Sequence, residues 1–224
     1  MRLLGYKFAD SLEHVSYGHV ALPEGRMKSR EGTVVDIDEL VAHLTELATS
    51  EIKERHDFLN QKEIEKRAQE IALGAVKFYL LSVGSSSGMV FNPKESLAFN
   101  GKTGPYLQYT NARMLSVLRK AADGRSGAGR VDASLLVEPA EWKLILELAS
   151  FPDVIENSAS HRDPSFLAKY CYDLAKAFSE FYEQLSVLKA DDNLRRARLS
   201  LVRAVTATLE RGMHLLGIPA PKEM

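Results

Sequence analysis

Apolar residues recur every three or four positions along most of the chain, which is the spacing of helices that bury one face. Two helices are predicted in the first part, from Asp36 and from Asn60, because a glutamate follows each residue three positions later as in a capping box. The stretch 3–20 lacks this period and contains two glycines. Strand and loop are therefore predicted there.

From Gly104 to the end, the helical period continues with few interruptions. Helices are predicted from Pro105, over 139–149, after Pro152, from Asp163 and over 192–216. Glycine and serine cluster at 84–88, and the irregular sequence after them extends the predicted linker to Phe99. We predict a mainly α-helical protein, with a small α/β part at 1–88 and a helical bundle at 89–224.

Charge and composition narrow the class of protein. The formal net charge is −1, so the strongly basic balance that by itself indicates a nucleic-acid-binding protein is absent, and any RNA contact must be local. No apolar run approaches the ~20 residues of a membrane span. The single cysteine, Cys171, lies among apolar and aromatic residues and is predicted to be a buried, reduced thiol. These features predict a cytoplasmic protein without a membrane partner.

The segment 25–32, Gly-Arg-Met-Lys-Ser-Arg-Glu-Gly, places three cations within five positions between two glycines. A loop carrying Lys28 and Arg30 could fold over a polyphosphate and neutralise the charge that develops on a leaving group. The alternative is a solvated basic turn, which composition alone favours because GxxxxGK[ST] and similar phosphate-binding patterns are absent. The six histidines do not cluster and no CxxC or HExxH occurs, so no metal site is predicted.

Two further groups of residues could contact RNA. The glycine turn at 101–104 leads Tyr106 and Gln108 onto the first turn of a helix, where they face either RNA and the adjoining domain or the core. The two last helices carry the second group, in which Tyr170 and Tyr182 could stack on unpaired bases and Arg198 could hold a phosphate. The alternative for this second group is an aromatic stripe that belongs to the core.

Taken in order, these segments resemble the arginyl-tRNA synthetases over nearly the whole chain. GYKFADSLEHVSYGHVALPEGRMKSREGTVVDIDELV is similar to the family's passage through its signature loop, and NGKTGPYLQYTNAR is similar to its interdomain helix. EPAEWKLILELASFPDVIENS, DPSFLAKYCYDLAKAFSEFYEQLSVL and RARLSLVRAVTATLERGMHLLGIPAPKEM resemble its anticodon-binding domain.

The resemblance implies a Rossmann-type class I catalytic domain, of which 1–88 would be the last part, followed by a helical anticodon-binding domain. It implies ligation of L-arginine to tRNA(Arg) with ATP and Mg²⁺, and no DNA partner. The signature pattern K-M-S-K-S stands here as Arg26-Met27-Lys28-Ser29-Arg30, and Lys28 and Arg30 are the cations assigned to the ATP phosphates. The H-I-G-H motif does not occur, so we expect this chain to be inactive alone and to bind no ATP by itself.

The resemblance also assigns residues to tRNA binding. Tyr170 and Met224 are assigned to the anticodon pocket, with Tyr182 and Arg198 as further candidates, while Tyr106 and Gln108 belong to a segment that packs near the catalytic domain. Two other functions stay open. One is a free-standing, non-catalytic tRNA-binding or regulatory module, and the other is a helical scaffold for protein interactions.

Overall fold

Seven helices make up most of the described part of the chain. The computed structural model describes residues 1–22, 25–26, 36–55, 59–123 and 131–224. The helices are α1 (Ile37–Arg55), α2 (Gln61–Leu81), α3 (Pro93–Ser96), α4 (Gly104–Asp123), α5 (Pro139–His161), α6 (Ser165–Gln184) and α7 (Asp192–Leu215). Three short strands precede α3: β1 (Val20–Leu22), β2 (Gly25–Arg26) and β3 (Met89–Val90). The predicted fold class is confirmed, and within the described ranges no strand follows Gly104.

The three strands form one small sheet in the order β2-β1-β3. β1 runs antiparallel to β2 and parallel to β3, with Val20 opposite Met89. β3 lies inside the segment that was predicted to be a linker. The sequence does not predict this strand, because two residues are too few to show an alternating pattern. The beginning of the chain also differs from the prediction, since two 3-10 turns occupy Arg2–Leu4 and Lys7–Ser11.

Helices α1 and α2 pack against each other through apolar side chains. Leu44 of α1 is fully buried, in a cluster with Ala72 and Val76 of α2. The predicted capping box of α2 is confirmed, because the Asn60 side chain accepts from the Glu63 amide and the Glu63 side chain accepts from the Asn60 amide. At the start of α1, the Asp36 carboxylate accepts instead from the amide of Asp38, at 2.9 Å.

The larger core lies among α4, α5, α6 and α7, and α2 contributes to it through Phe78. In α6, the apolar stripe is buried as predicted at Leu174, Phe178 and Phe181. Cys171 is buried, and burial raises the pKa of its thiol to about 12. Among the described helices, none has an apolar stretch that could cross a bilayer.

Helix α5 corrects a prediction. Two helices were expected around Pro152, but a single helix runs from Pro139 to His161 with Pro152 inside it. A proline in a helix interior removes one hydrogen bond and costs about 3 kcal/mol. Phe151, Val154 and Ile155 pack on the core beside it, and this tertiary packing offsets the local cost.

A close crossing of α2 and α4 joins the two parts of the molecule. A Cβ on Gly104 would lie 2.0 Å from the backbone oxygen of Gly74, a distance that no side chain can tolerate. One turn further along α4, Gln108 is fully buried against Gly74. Two glycines therefore bring the backbones together and leave space for one amide side chain between them.

Candidate RNA-binding surface

A cleft opens where α2, α4 and the end of the chain meet. Its volume is about 420 Å³, and its walls include Arg67 of α2, Tyr109, Arg113 and Arg119 of α4, and Met224. It combines an exposed aromatic ring and a thioether with three guanidinium groups. Such a combination suits an unpaired nucleotide, whose base stacks on apolar surface while its phosphate pairs with arginine.

Helix geometry explains how α4 presents one side of this cleft. Tyr109, Arg113 and Ser116 follow one another by four and three residues and therefore share a face. The opposite face of α4 is buried, through Leu107, Met114 and other residues.

Tyr109 also lines a second cavity of about 540 Å³, together with Met224, Ile71 and Phe99. Tyr109 is 44% exposed. Phe99 meets it edge to face, with the ring centroids 6.4 Å apart. The ring is thus held on one side and open on the other, as a stacking platform must be.

The charges of the cleft are positive on balance. Among the described residues that line it, three arginines face one carboxylate side chain, that of Glu223. Arg67 pairs with Glu223 at 3.3 Å and Arg119 at 3.6 Å. The cleft therefore supplies a local attraction for phosphate, although the chain as a whole carries a formal charge of −1.

Tyr182 lies beside the cleft and is linked to it by Arg113. The Arg113 guanidinium carbon sits 4.6 Å from the centroid of the Tyr182 ring. On α6, Tyr182 is stacked on Phe178 with the centroids 5.8 Å apart. Of the predicted tRNA-binding residues, Met224 lies in the cleft and Tyr182 at its side.

Tyr170 does not line this cleft, and the stacking role assigned to it stays a prediction. Its side chain is buried, its hydroxyl donates to the backbone oxygen of Glu147 at 2.9 Å, and its ring packs on Phe151. Burial raises the pKa of the hydroxyl. In this conformation the ring packs between α5 and α6, beside a cavity of about 330 Å³ that it lines together with Lys169.

Arg198 also differs from its predicted role as a phosphate ligand. It is 7% exposed, its Nε donates to the Glu141 carboxylate at 2.7 Å, and its Nη1 donates to the backbone oxygen of Ser186 at 2.8 Å. Glu141 is fully buried and also accepts from the amide of Glu138, which caps α5. Arg198 is thus committed to a buried ion pair.

The two residues predicted to lie between domains occupy different positions. The Tyr106 hydroxyl is 3.1 Å from the Ser179 hydroxyl of α6, and its ring is near Tyr172, so it packs within the helical bundle. Gln108 lies between the two parts, and its amide nitrogen donates to Glu70 of α2 and to Pro219, in both cases to the backbone oxygen.

The signature loop lies largely outside the described residues. Met27, Lys28, Ser29 and Arg30 are not described, and only the backbone of Arg26 is, in β2 opposite Ala21. The assignment of Lys28 and Arg30 to ATP phosphates therefore stays a prediction.

Sequence reasoning missed Arg67, Arg113 and Arg119, and it placed Tyr109 at the helix start after the glycine turn without assigning it to a tRNA site. The apolar spacing after Pro105 predicts a stripe of Tyr109, Ala112, Leu115 and Leu118 on one face of α4. The fully buried face instead contains Leu107 and Met114, seven residues apart, which turns Tyr109 outwards. A stripe through Leu107 and Met114 is also visible in the sequence and would have predicted an exposed Tyr109. No local pattern could have brought Arg67 to Met224, more than a hundred positions away.

Two family models match the chain. The model for the DALR anticodon binding domain matches residues 107–224, and the model for "tRNA synthetases class I (R), catalytic domain" matches residues 1–92. Together they cover the chain except for residues 93–106.

Curated relatives and solved structures agree with these matches. The arginine–tRNA ligase of Treponema denticola is 46% identical over 224 residues, which span 98% of this chain and 38% of that protein. The enzyme of Treponema pallidum is 45% identical, over 100% of this chain and 39% of that protein. The structure of Thermus thermophilus arginyl-tRNA synthetase superposes with a TM-score of 0.82 at 34% identity, over 93% of this chain and 35% of that one. The chain spans about two-fifths of the length of these curated relatives.

Proposed function

Because the chain belongs to the arginyl-tRNA synthetase family, with class I catalytic and DALR anticodon-binding segments, we propose that it is the C-terminal part of an arginine–tRNA ligase. In this proposal the chain binds tRNA(Arg) through the cleft of Tyr109, Arg113, Arg119 and Met224. One observation carries the proposal: a half-exposed aromatic ring and the last side chain of the sequence form one wall beside unburied guanidinium groups.

The chemistry of the cleft favours an anticodon nucleotide over double-stranded RNA. A base stacked on an aromatic ring contributes about 1–3 kcal/mol, and only an unpaired base offers a free face. The three arginines supply phosphate contacts, which position the RNA without reading its sequence. Tyr182, beneath Arg113, completes the proposed surface.

The complete ligase would use ATP, with Mg²⁺, to activate L-arginine before its transfer to tRNA(Arg). Class I membership supports the use of ATP. In this chain, Lys28 and Arg30 are the residues proposed to neutralise the phosphates during activation. Because the H-I-G-H motif does not occur, the chain alone is proposed to bind tRNA without catalysing ligation.

The proposal is tested by measuring the binding of tRNA(Arg) to the chain and to a variant without Met224. The deletion should weaken cognate binding by about 1–3 kcal/mol, the scale of one lost base stack. The loss should shrink for a tRNA whose anticodon base is changed, since that base would have made the contact. Thermal melts check that the variant is folded.

A matched control keeps the fold and removes an unrelated surface group. Lys143→Met breaks an exposed pair between α5 and α6, made with Glu180, that does not line the cleft, and it should leave tRNA binding at the parent's value. Equal affinities of the parent for cognate tRNA and for an unrelated RNA would contradict anticodon recognition by this cleft. A non-catalytic scaffold would then be the better description.

The loop is tested in a longer protein that contains this chain and catalyses the exchange of ATP with pyrophosphate. Lys28→Ala should slow arginine-dependent exchange and leave tRNA affinity nearly unchanged, because a charge used only in the transition state affects the rate of that step. If variant and parent exchange pyrophosphate at the same rate, Lys28 belongs to an ordinary basic turn.

A further inference from the structure

The last eight residues of the sequence, 217–224, follow α7 as an extended segment, here called the C-terminal tail. Gly217 starts it in the left-handed conformation, with φ of 67°. Ile218 and Pro221 are buried, while Lys222 and Glu223 are exposed. Two apolar anchors thus fix its beginning and middle, and Met224 lies beyond them. The position of Met224 therefore depends on what else holds the tail.

Side chains from α2 hold the tail at both ends. The Lys77 ammonium donates to the backbone oxygen of Gly217 at 2.5 Å. Ten residues earlier in α2, the Arg67 guanidinium pairs with Glu223. The two contacts lie about three turns apart on α2, so the tail runs along that helix. α2 belongs to the segment that matches the class I catalytic domain, at residues 1–92.

Gln108 of α4 is the contact that cannot itself reach RNA. Its side chain is fully buried, and its amide nitrogen donates to the backbone oxygens of Glu70 and Pro219, both at 2.9 Å. It reaches both because Gly74 carries no side chain, since a Cβ there would lie 2.6 Å from the Gln108 amide. One neutral group therefore ties α2 and the tail to α4.

We propose that Gln108 is a positioning residue for tRNA recognition: by holding Pro219 against α2, it keeps Met224 beside Tyr109 in the cleft. The inference rests on the proposed function of the cleft. It adds that tRNA binding depends on Gln108, a residue that does not contact the RNA. The tRNA-binding wall is then set by α2, a helix of the catalytic part, as well as by the helical bundle. Lys77 and Arg67 share this task, and Arg67 in addition lines the cleft.

A neutral, buried residue gives a clean experiment because its replacement changes neither the charge nor the surface that RNA meets. Gln108→Met keeps the length of the side chain and removes both donated hydrogen bonds. Two readouts on the full chain are required: the affinity for tRNA(Arg), and the NMR resonance of the Met224 methyl group in protein labelled with ¹³C-methyl methionine. Met224→Leu assigns that resonance among the six methionines of the parent, and the same change in each methionine variant assigns it among seven.

Three further variants separate positioning from stability and from charge. Tyr170→Phe also removes a buried bond from a side chain to a backbone oxygen, but that bond joins α6 to α5 and does not involve the tail. Lys77→Met removes the hydrogen bond to the backbone oxygen of Gly217, and it replaces Gln108→Met as the test if that variant does not fold. Lys66→Met removes one charge from the same helix, at an exposed side chain that pairs with Glu70 at 3.9 Å.

We expect Gln108→Met and Lys77→Met to move the Met224 methyl resonance towards its position in unfolded protein and to weaken tRNA(Arg) binding about tenfold, the equivalent of one lost hydrogen bond. Tyr170→Phe and Lys66→Met should leave the resonance in place. An unmoved resonance in both tail variants would overturn the proposal, and so would a moved resonance with the parent's tRNA affinity. If the parent chain does not prefer tRNA(Arg) to an unrelated RNA, the proposed function fails, and the resonance alone decides whether Gln108 positions Met224.

Discussion

Burial separates residues that look equivalent in the sequence. Tyr109 and Tyr170 both lie at helical spacing among apolar residues, yet the first is 44% exposed and the second 5%. A tyrosine fits a core when its hydroxyl finds an acceptor, as Tyr170 does at Glu147. The sequence shows the aromatic ring but not the acceptor, which comes from another helix. The residue type was therefore predictable, and its role was not.

The buried pair of Arg198 and Glu141 allows a prediction about stability. Arg198→Met should lower the free energy of unfolding by about 3–5 kcal/mol, because Glu141 stays fully buried without its partner. Urea denaturation measures the change. Lys143→Met, which breaks an exposed pair with Glu180, should cost no more than about 1 kcal/mol. Similar losses for both variants would show that burial does not set the value of the Arg198 pair.

Among the elements, the predicted helices were correct where local chemistry marks their ends. Asn60 and Glu63 cap α2, and Gly217 follows the end of α7 in the left-handed conformation. The errors arose where tertiary contacts outweigh local preference. α5 continues through Pro152 because its neighbours pack on the core, and β3 exists because β1 supplies its hydrogen bonds. A single sequence displays the local preference but not the contact that overrides it.

The crossing of α2 and α4 allows a prediction for these elements. Gly104→Ala should lower the free energy of unfolding by at least about 1–3 kcal/mol, because the new methyl group would meet the Gly74 carbonyl and force the helices apart. Gly88→Ala is the matched control, since its nearest new contact would be an ordinary one, 3.5 Å from the His19 oxygen. Thermal or urea unfolding of both variants checks the difference. An unfolding midpoint for Gly104→Ala equal to the parent's would mean that the crossing tolerates a wider spacing.

For the molecule as a whole, the fold class was predictable and the proposed site was only partly so. Met224 and Tyr182 were assigned through the resemblance, and the structure brings Met224 to Tyr109 and Arg67. These residues come from three distant segments, so their meeting depends on the packing of α2, α4 and the tail. Helical periodicity describes each element separately. It contains no information on which faces of different elements share a cleft.

The salt dependence of RNA binding tests whether this local cluster carries the electrostatic attraction. With a formal net charge of −1, the chain offers no overall attraction to RNA, so the proposal assigns the phosphate contacts to local groups, among them Arg113 and Arg119 of the cleft. Each phosphate contact releases counterions, so that log K falls linearly with log salt concentration. Arg113→Ala or Arg119→Ala should reduce this slope by about 1, whereas deletion of Met224 should lower affinity at every salt concentration and leave the slope unchanged.

The same titration with Lys143→Ala provides the control, because this exposed cation lies on α5 and pairs with Glu180 instead of lining the cleft. Its slope should match the parent's. A reduced slope for Lys143→Ala, with unchanged slopes for both arginine variants, would locate the phosphate contacts on another face of the bundle.

The two arginine variants differ in their contact with the tail. Arg119 donates to the backbone oxygen of Lys222 at 3.2 Å, so Arg119→Ala should reduce both the salt slope and the discrimination between anticodon bases. Arg113 contacts Tyr182 and not the tail, so Arg113→Ala should reduce the salt slope and leave the discrimination between anticodon bases unchanged. Comparing the two arginine variants therefore separates attraction to phosphate from positioning of the tail.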